Sequence, residues 1–211
     1  MKTKLAFISI LAFAILLTSC QKEISGEINN NNGNNSAFPY YFIATINGKT
    51  VKFEADDISS RYGCGTSQPF SAIAPSDYDI YEGTVLLDPL EPTKNSAWVH
   101  ILKYFNHDPN QAERYSMINP GDYPYGYSDV SSSTINGASI DYIDENGVTW
   151  FSETGPQSTT SNFTIVELID NTDGTSGKIF KATFNCKLYN FDGSSSVQVT
   201  NGVIRGKILT P

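Results

Sequence analysis

The side chains with the widest chemical repertoire in this 211-residue sequence are its three cysteines, Cys20, Cys64 and Cys186. A thiol can be acylated, can form a disulfide, or can act as a nucleophile when a neighbouring base activates it. A disulfide between Cys64 and Cys186 would close a loop of 121 intervening residues and stabilise the fold by about 4–5 kcal/mol in the chain-entropy model. The alternative is that Cys186 is a small buried residue on the apolar face of a strand, while Cys64 lies in a Gly-Cys-Gly turn. Both interpretations stay open.

Cys20 differs from the other two cysteines because of the segment that precedes it. Residues 1–4 contain two lysines, residues 5–17 form a largely apolar run, and Leu17-Thr18-Ser19-Cys20 resembles a bacterial lipobox. This combination predicts a signal peptide over residues 1–19 and a lipid attached to Cys20 after cleavage. The run is too short for a transmembrane helix, which needs about 20 apolar residues. Three acyl chains, palmitate among them, would make the membrane a durable partner of the mature chain.

The residues after Cys20 indicate in which membrane the protein is located. Lys22-Glu23 resembles in part the export signals of surface lipoproteins in Bacteroidota-type bacteria, and the Asp that retains enterobacterial lipoproteins in the inner membrane is absent. These features favour the outer membrane, and its cell-surface face over its periplasmic face. The Asn-rich sequence that follows has too little apolar content to pack, which predicts a flexible tether over residues 20–36.

Two histidines, His100 and His107, are the only ones in the chain, and a zinc site would need further ligands. Acidic loops at residues 141–147 and 170–174 lack the ligand spacing of a calcium-binding EF-hand. Phosphate-binding, dinucleotide-binding and Gly-x-Ser-x-Gly motifs are absent from the sequence. The sequence therefore predicts no metal, no cofactor and no catalytic residue.

Tyr123, Tyr125 and Tyr127 are the strongest candidates for a ligand-binding surface. They alternate within residues 120–129, a segment too rich in Pro and Gly for a central strand. Tyrosines on a loop beside acidic residues can stack on a flat ligand such as a sugar ring and hydrogen-bond to it. The alternative is that these rings cover an open end of the core.

Charge and size limit the remaining function classes. Without residues 1–19 the chain carries 12 basic and 22 acidic residues, a net charge near −10. Such an acidic chain disfavours nucleic acid as a partner, because the phosphate backbone is normally met by Lys and Arg clusters. Residues 37–211 suit a single domain with a core of its own.

The elements that must position these residues are strands. Apolar and polar residues alternate from Ile179 to Tyr189, which is typical of a strand with one buried face. Residues 163–169 are apolar on both faces, which predicts a central strand. Further strands are predicted at residues 40–46, 50–54, 70–74, 80–87, 97–105, 138–143, 148–151, 197–200 and 203–209.

Turn residues support an antiparallel arrangement. Asn47-Gly48, Asn146-Gly147 and Asp192-Gly193 lie between apolar runs and predict tight hairpins. Asn201-Gly202 interrupts the last strand and predicts a bulge or a further turn. About ten short strands of this kind predict an all-β fold, an antiparallel β-sandwich of immunoglobulin-like or jelly-roll-like type, with a barrel as the competing closure.

Three patterns carry a family resemblance. They are Phe42-x-Ala44-x-Ile46-Asn47-Gly48-Lys49, the Trp150 strand, and Phe180-x-Ala182-x-Phe184 followed by Val197-x-Val199-Thr200-Asn201-Gly202. Together they resemble the small β-rich lipoproteins of Bacteroidota-type bacteria. The resemblance implies the β-rich fold and the envelope location, and it implies no particular chemistry.

Two functions are expected from these observations. The first is a membrane-anchored, non-enzymatic binding or structural module whose partner is a glycan or an envelope protein. The second is a glycosidase-type hydrolase, which would need two carboxyl groups about 5–10 Å apart in a cleft. A raised pKa of one such carboxyl group would favour the second.

Overall fold

The computed structural model of the chain describes residues 36–56, 61–67, 70–72, 77–128, 134–171 and 177–208. All of them belong to one compact unit, Asn34–Pro211. The predicted signal peptide, Cys20 and the predicted tether up to residue 35 lie outside the described residues. Within the described ranges, no helix has the length and apolar character needed to cross a membrane.

The described residues form twelve strands and one short helix. The strands are β1 (Tyr40–Ile46), β2 (Lys49–Ala55), β3 (Gly63–Ser67), β4 (Phe70–Ala72), β5 (Tyr78–Leu87), β6 (Ser96–Phe105), β7 (Gly121–Tyr123), β8 (Gly137–Ile143), β9 (Thr149–Phe151), β10 (Asn162–Asp170), β11 (Lys178–Asn190) and β12 (Ser196–Ile208). The helix α1 (Gln111–Tyr115) follows β6. All paired strands are antiparallel, which confirms the predicted all-β antiparallel fold.

The strands form one continuous sheet that curls onto itself. Its order is β2-β1-β12-β11-β9-β8-β6-β5-β3, with β4 on β5 and β10 between β11 and β7. A Cβ atom on Gly206 of β12 would lie 2.3 Å from Oγ1 of Thr84 in β5, so these two strands approach face to face. The result is sandwich-like and nearly closed. The interior is filled by large buried side chains, among them Phe42, Leu86, Phe163, Phe180, Phe184 and Ile204.

Tight turns connect the neighbouring strands as predicted. Asn47 and Gly48 have φ angles of 47° and 79°, the two positive values that a type I′ hairpin turn requires. Gly147 and Gly193 also have positive φ, in the β8–β9 and β11–β12 turns. These hairpins fix which residues face each other across the sheet.

The predicted irregularity in the last strand is a bulge. The pairing of β11 with β12 shifts between Phe184 and Cys186, opposite Asn201, which has a φ of 53°. A Cβ atom on Gly202 would lie 2.2 Å from the Phe184 ring. Glycine is therefore required here so that the ring can pack against the backbone.

The prediction that residues 163–169 form a central strand is wrong. These residues lie in β10, which pairs with β11 along its length but with β7 only from Phe163 to Ile165. Its second half passes beyond the three-residue β7, and Val166 and Ile169 are 51% and 43% exposed. A run that is apolar on both faces is thus a peripheral strand.

Candidate functional site

The curled sheet is open beside its two terminal strands. Among the described residues, one isolated bridge between Ala55 and Tyr62 joins β2 to the start of β3. Along β2, between the β1–β2 turn and this point, lies a groove of about 650 Å³, bordered by β2, Tyr62, the β8–β9 hairpin and the first residues of β12. We call it the end groove.

Aromatic side chains form the inner wall of the end groove. Phe53, Tyr62, Tyr142 and Trp150 all line it. The Phe53 ring centre lies 5.1 Å from that of Tyr62 and 6.2 Å from that of Tyr142. Burial raises the pKa of Tyr142 to about 12, so its hydroxyl stays a neutral donor. Phe53 and Tyr142 are only 3% and 6% exposed and support the wall from the core. The partly exposed Tyr62 and Trp150 therefore present its ring surface, together with a few polar atoms, as in ligand sites.

The rim of the groove is polar and charged. Nζ of Lys49 lies 2.9 Å from a carboxylate oxygen of Glu145, so an exposed ion pair links the β1–β2 turn to the β8–β9 turn. Asp144 accepts hydrogen bonds from Nε1 of Trp150 at 3.1 Å and from the backbone N–H of Asn146 at 2.8 Å. These bonds hold the hairpin and the indole ring in place. The groove therefore combines fixed aromatic surface with exposed charges of both signs.

The end groove lies at the end of the domain opposite to the point where the chain enters. Ile46, the last residue of β1, lines the groove, whereas Tyr40 begins the same strand. Seven extended residues separate the two ends by about 20 Å. The β8–β9 and β11–β12 turns lie at the groove end, because Trp150 pairs with both Tyr142 and Asn190.

Comparisons with known proteins do not identify a family for this chain. No protein-family model, no curated protein and no solved structure matches the chain.

A second polar cluster lies on the outer face of the sheet. Asp79, Asp141 and Glu153 meet there, and Asp79 accepts hydrogen bonds from Ser128 and, at 3.0 Å, from Oγ1 of Thr134. Burial, with a smaller contribution from Glu153, raises the pKa of Asp141 to about 7. Burial also raises the pKa of Glu153. Since successive residues of a strand face opposite sides, Asp141 points away from the end groove that Tyr142 lines.

His100 belongs to this outer face as well. Its Nε2 lies 3.0 Å from Oγ of Ser67, and its ring meets Tyr81 edge to face at 5.8 Å. Burial lowers the pKa of His100 to about 4, which makes it a poor general base near neutral pH. His107 instead pairs with Glu113 on the surface at 2.9 Å. In the described parts of the chain, no three His, Cys, Asp or Glu residues are placed to hold a metal ion.

The three tyrosines singled out in the sequence are engaged with the fold in different ways. The rings of Tyr123 and Tyr125 both meet Phe163 edge to face, at 6.3 and 6.5 Å. The Tyr125 hydroxyl donates to the carbonyl of Asn162 at 3.1 Å, and burial raises its pKa. Tyr127 is more exposed and exchanges backbone hydrogen bonds with Ile135. Two of the three rings thus cover the core, as in the alternative left open above.

The disulfide considered for Cys64 and Cys186 is not present in the structure. Cys64 lies in β3, not in a turn, and its Sγ accepts a hydrogen bond from the backbone N–H of Lys207 at 3.4 Å. Cys186 is buried in β11, where burial raises its thiol pKa to about 12. The strand pairings of β3 with β5 and of β11 with β12 give the two thiols different neighbours.

The residues of the end groove were not recognised in the sequence. In the sequence, Trp150 and the Asn47-Gly48 and Asn146-Gly147 turns indicate only a strand and two hairpins. The available signal was that both hairpins border apolar runs containing aromatic residues. Their meeting at one groove depends on the curl of the sheet, which no local pattern contains.

Proposed function

We propose that this chain is a membrane-anchored envelope lipoprotein whose β-domain is a non-enzymatic binding module, with the end groove as its ligand site. The groove itself carries the proposal, because it places Tyr62 and Trp150, backed by the buried Phe53 and Tyr142, beside a rim with charges of both signs in one concavity. Volumes of about 300–1,000 Å³ with such linings are typical of ligand sites. Glycans and segments of envelope proteins are the two ligand classes considered.

The position of the groove supports this role. A lipid on Cys20 and a tether up to residue 36 would connect the membrane to the start of β1. The groove lies at the other end of that strand, so the attachment of the tether would leave it unobstructed. Outer-membrane location and exposure at the cell surface are part of the proposal and rest on the N-terminal sequence.

Alanine in place of Trp150 is expected to weaken ligand binding at least about tenfold, because an aromatic anchor at the centre of a site contributes a large share of affinity. Binding would be measured with the lipid-free chain from Gln21 to Pro211 on a glycan array and against a displayed library of short linear peptides. Trp98→Phe leaves Trp150 as the single tryptophan, so its fluorescence reports occupancy of the groove.

A pair of lysines provides a matched control. Lys49 and Lys178 each pair with an acid, at 2.9 and 2.8 Å, but Lys178 lies opposite Ile208 at the other end of the domain. Lys49→Ala should reduce binding and Lys178→Ala should not. Equal effects of the two variants, or binding that Trp150→Ala leaves unchanged, would contradict a ligand site in the end groove.

Cys20→Ala is expected to abolish lipid attachment and to leave either an uncut precursor or a released chain. Membrane fractionation with measurement of the intact mass distinguishes these outcomes. Ser25→Ala, which keeps Cys20 and the lipobox residues, serves as the control. A Cys20→Ala chain that fractionates with membranes at its processed mass would show that another feature holds it there.

Hydrolysis of a glycan is the alternative function. Asp141 and Glu153 are a carboxyl pair with raised pKa values, as a general acid requires. Their strand face is opposite to that of Tyr142, however, so a ligand in the end groove would not meet them. For this reason we favour binding over hydrolysis.

A further inference from the structure

The hairpin turn between β1 and β2 determines which backbone groups of β2 face outward. In a two-residue hairpin the residues that flank the turn form a hydrogen-bonded pair, and such pairs alternate along the strands. Ile46 and Lys49 flank this turn. Thr50, Lys52 and Glu54 are therefore the residues whose backbone N–H and C=O groups point away from β1.

These outward groups border the end groove. β2 is the terminal strand of the sheet, and in the described part of the chain its contact with β3 is the isolated bridge at Ala55. Thr50 and Lys52 line the groove together with Val51 and Phe53, which face its interior. A row of backbone donors and acceptors thus runs beside an apolar surface.

We propose that the ligand of the end groove is an extended polypeptide segment of another protein, which adds to the sheet as a strand along β2. This inference rests on the proposed function and names its ligand class. Backbone hydrogen bonds to Thr50, to Lys52 and to the N–H of Glu54 supply affinity, since the Glu54 carbonyl faces Tyr62 at the isolated bridge. Apolar side chains at alternate positions of the segment enter the groove beside Phe53 and Trp150 and supply specificity.

The charged residues around the groove predict which side chains the bound segment carries. The β2 side of the groove carries Lys49 and Lys52, which are exposed and ion-paired with Glu145 and Glu54. Arg61, which is ion-paired with Glu91, lies beside Tyr62 with its guanidinium 6.0 Å from the ring centre. An acidic residue directly across from Lys52 on the added strand is favoured, since opposite charges in cross-strand pairs are stabilising. The preferred segment alternates apolar residues with acidic ones.

A second copy of this chain fits the same edge less well. Antiparallel self-pairing centred on β2 places Lys52 opposite Lys52, and like charges directly across a sheet are destabilising.

The test is a proline scan of the edge with the lipid-free chain from Gln21 to Pro211. The probe is the tightest-binding peptide selected from a displayed library of short linear peptides. Lys52→Pro removes an outward N–H and leaves the β1–β2 hydrogen bonds intact, because an edge strand tolerates proline at such a position. Lys52→Ala removes the same charge and keeps the N–H. We expect Lys52→Pro to weaken peptide binding at least about tenfold more than Lys52→Ala does.

Amide hydrogen exchange provides an independent measurement on the unmutated chain. The amides of Thr50, Lys52 and Glu54 should become protected when the peptide binds, and those of Val51 and Phe53, which already face β1, should change little. Thr50→Pro repeats the test if Lys52→Pro lowers the thermal stability of the chain.

The possible outcomes test the class of ligand and the position of the binding site separately. Glycan binding that Trp150→Ala abolishes and Lys52→Pro leaves intact would overturn the strand proposal and retain the groove. Equal peptide affinity of Lys52→Pro and Lys52→Ala, or unchanged exchange at Thr50 and Lys52, would also overturn it. Dimerisation through β2, seen as a concentration-dependent mass in sedimentation, would assign the edge to a second copy instead.

Discussion

Replacing Arg114 with alanine is expected to lower the free energy of unfolding by about 3–5 kcal/mol, the cost of removing one partner of a buried ion pair. Arg114 extends from α1, and its Nε donates to Oε1 of Glu82 at 2.5 Å. The Glu82 side chain is fully buried on the core face of β5, next to Ile80 and across from Ile101. Without the guanidinium, this carboxylate must remain charged in an apolar environment or take up a proton. Urea unfolding at constant m-value measures the loss.

The matched comparison is Lys49→Ala, which breaks an ion pair exposed on both sides and should cost less than about 1 kcal/mol. Glu82→Leu combined with Arg114→Ala should recover much of the stability, because an apolar pair of residues can replace a buried ion pair at little cost. If Arg114→Ala costs no more than Lys49→Ala, the pair is not a structural anchor for α1.

Strands whose two faces differ were predictable from the sequence, and elements made by distant pairing were not. The alternation from Ile179 to Tyr189 corresponds to β11 within a residue or two at each end, because one face is buried along its whole length. β3 was missed because Gly63, Cys64 and Gly65 show no alternation. They become a strand by pairing with β5, where Cys64 faces Leu86.

The helix α1 and the candidate site could not be predicted from the sequence for the same reason. α1 has five residues, too few for a helical apolar repeat, and is held by a capping box between Asn110 and Glu113. The wall of the end groove combines Phe53 with Trp150, which come together only because the sheet curls. Turn residues such as Asn47-Gly48 were informative because positive φ is a local requirement, whereas the curl is a property of the whole sheet.

The second large effect expected is that the contribution of Asp141 to stability falls as the pH rises from about 4 to 7. Burial between Trp98 and Phe151, its cross-strand neighbours, together with the charge of Glu153, raises the pKa of Asp141 from 3.8 to about 7. In this window the unfolded chain has released the Asp141 proton that the folded chain still holds, so this contribution decreases by a total on the order of 4 kcal/mol. His100 acts in the opposite direction: burial lowers its pKa from 6.5 to about 4, so its contribution to stability rises with pH between these values. Urea unfolding at fixed ionic strength across this range measures it.

Two variants assign the effect to Asp141. Asp141→Asn removes the titrating proton, so the stability of the unmutated chain relative to this variant should fall by on the order of 4 kcal/mol between pH 4 and 7; Glu153, whose pKa is also raised by burial, and His100 contribute to the profiles of both chains. Asp170→Asn is the control, because the Asp170 pKa is lowered by Lys178 and its contribution is lost only at more acidic pH. Asp79 and Tyr81 face the same cluster. Parallel pH profiles for Asp141→Asn and the unmutated chain would mean that the Asp141 pKa is the same in the folded and unfolded chains, which would contradict the prediction.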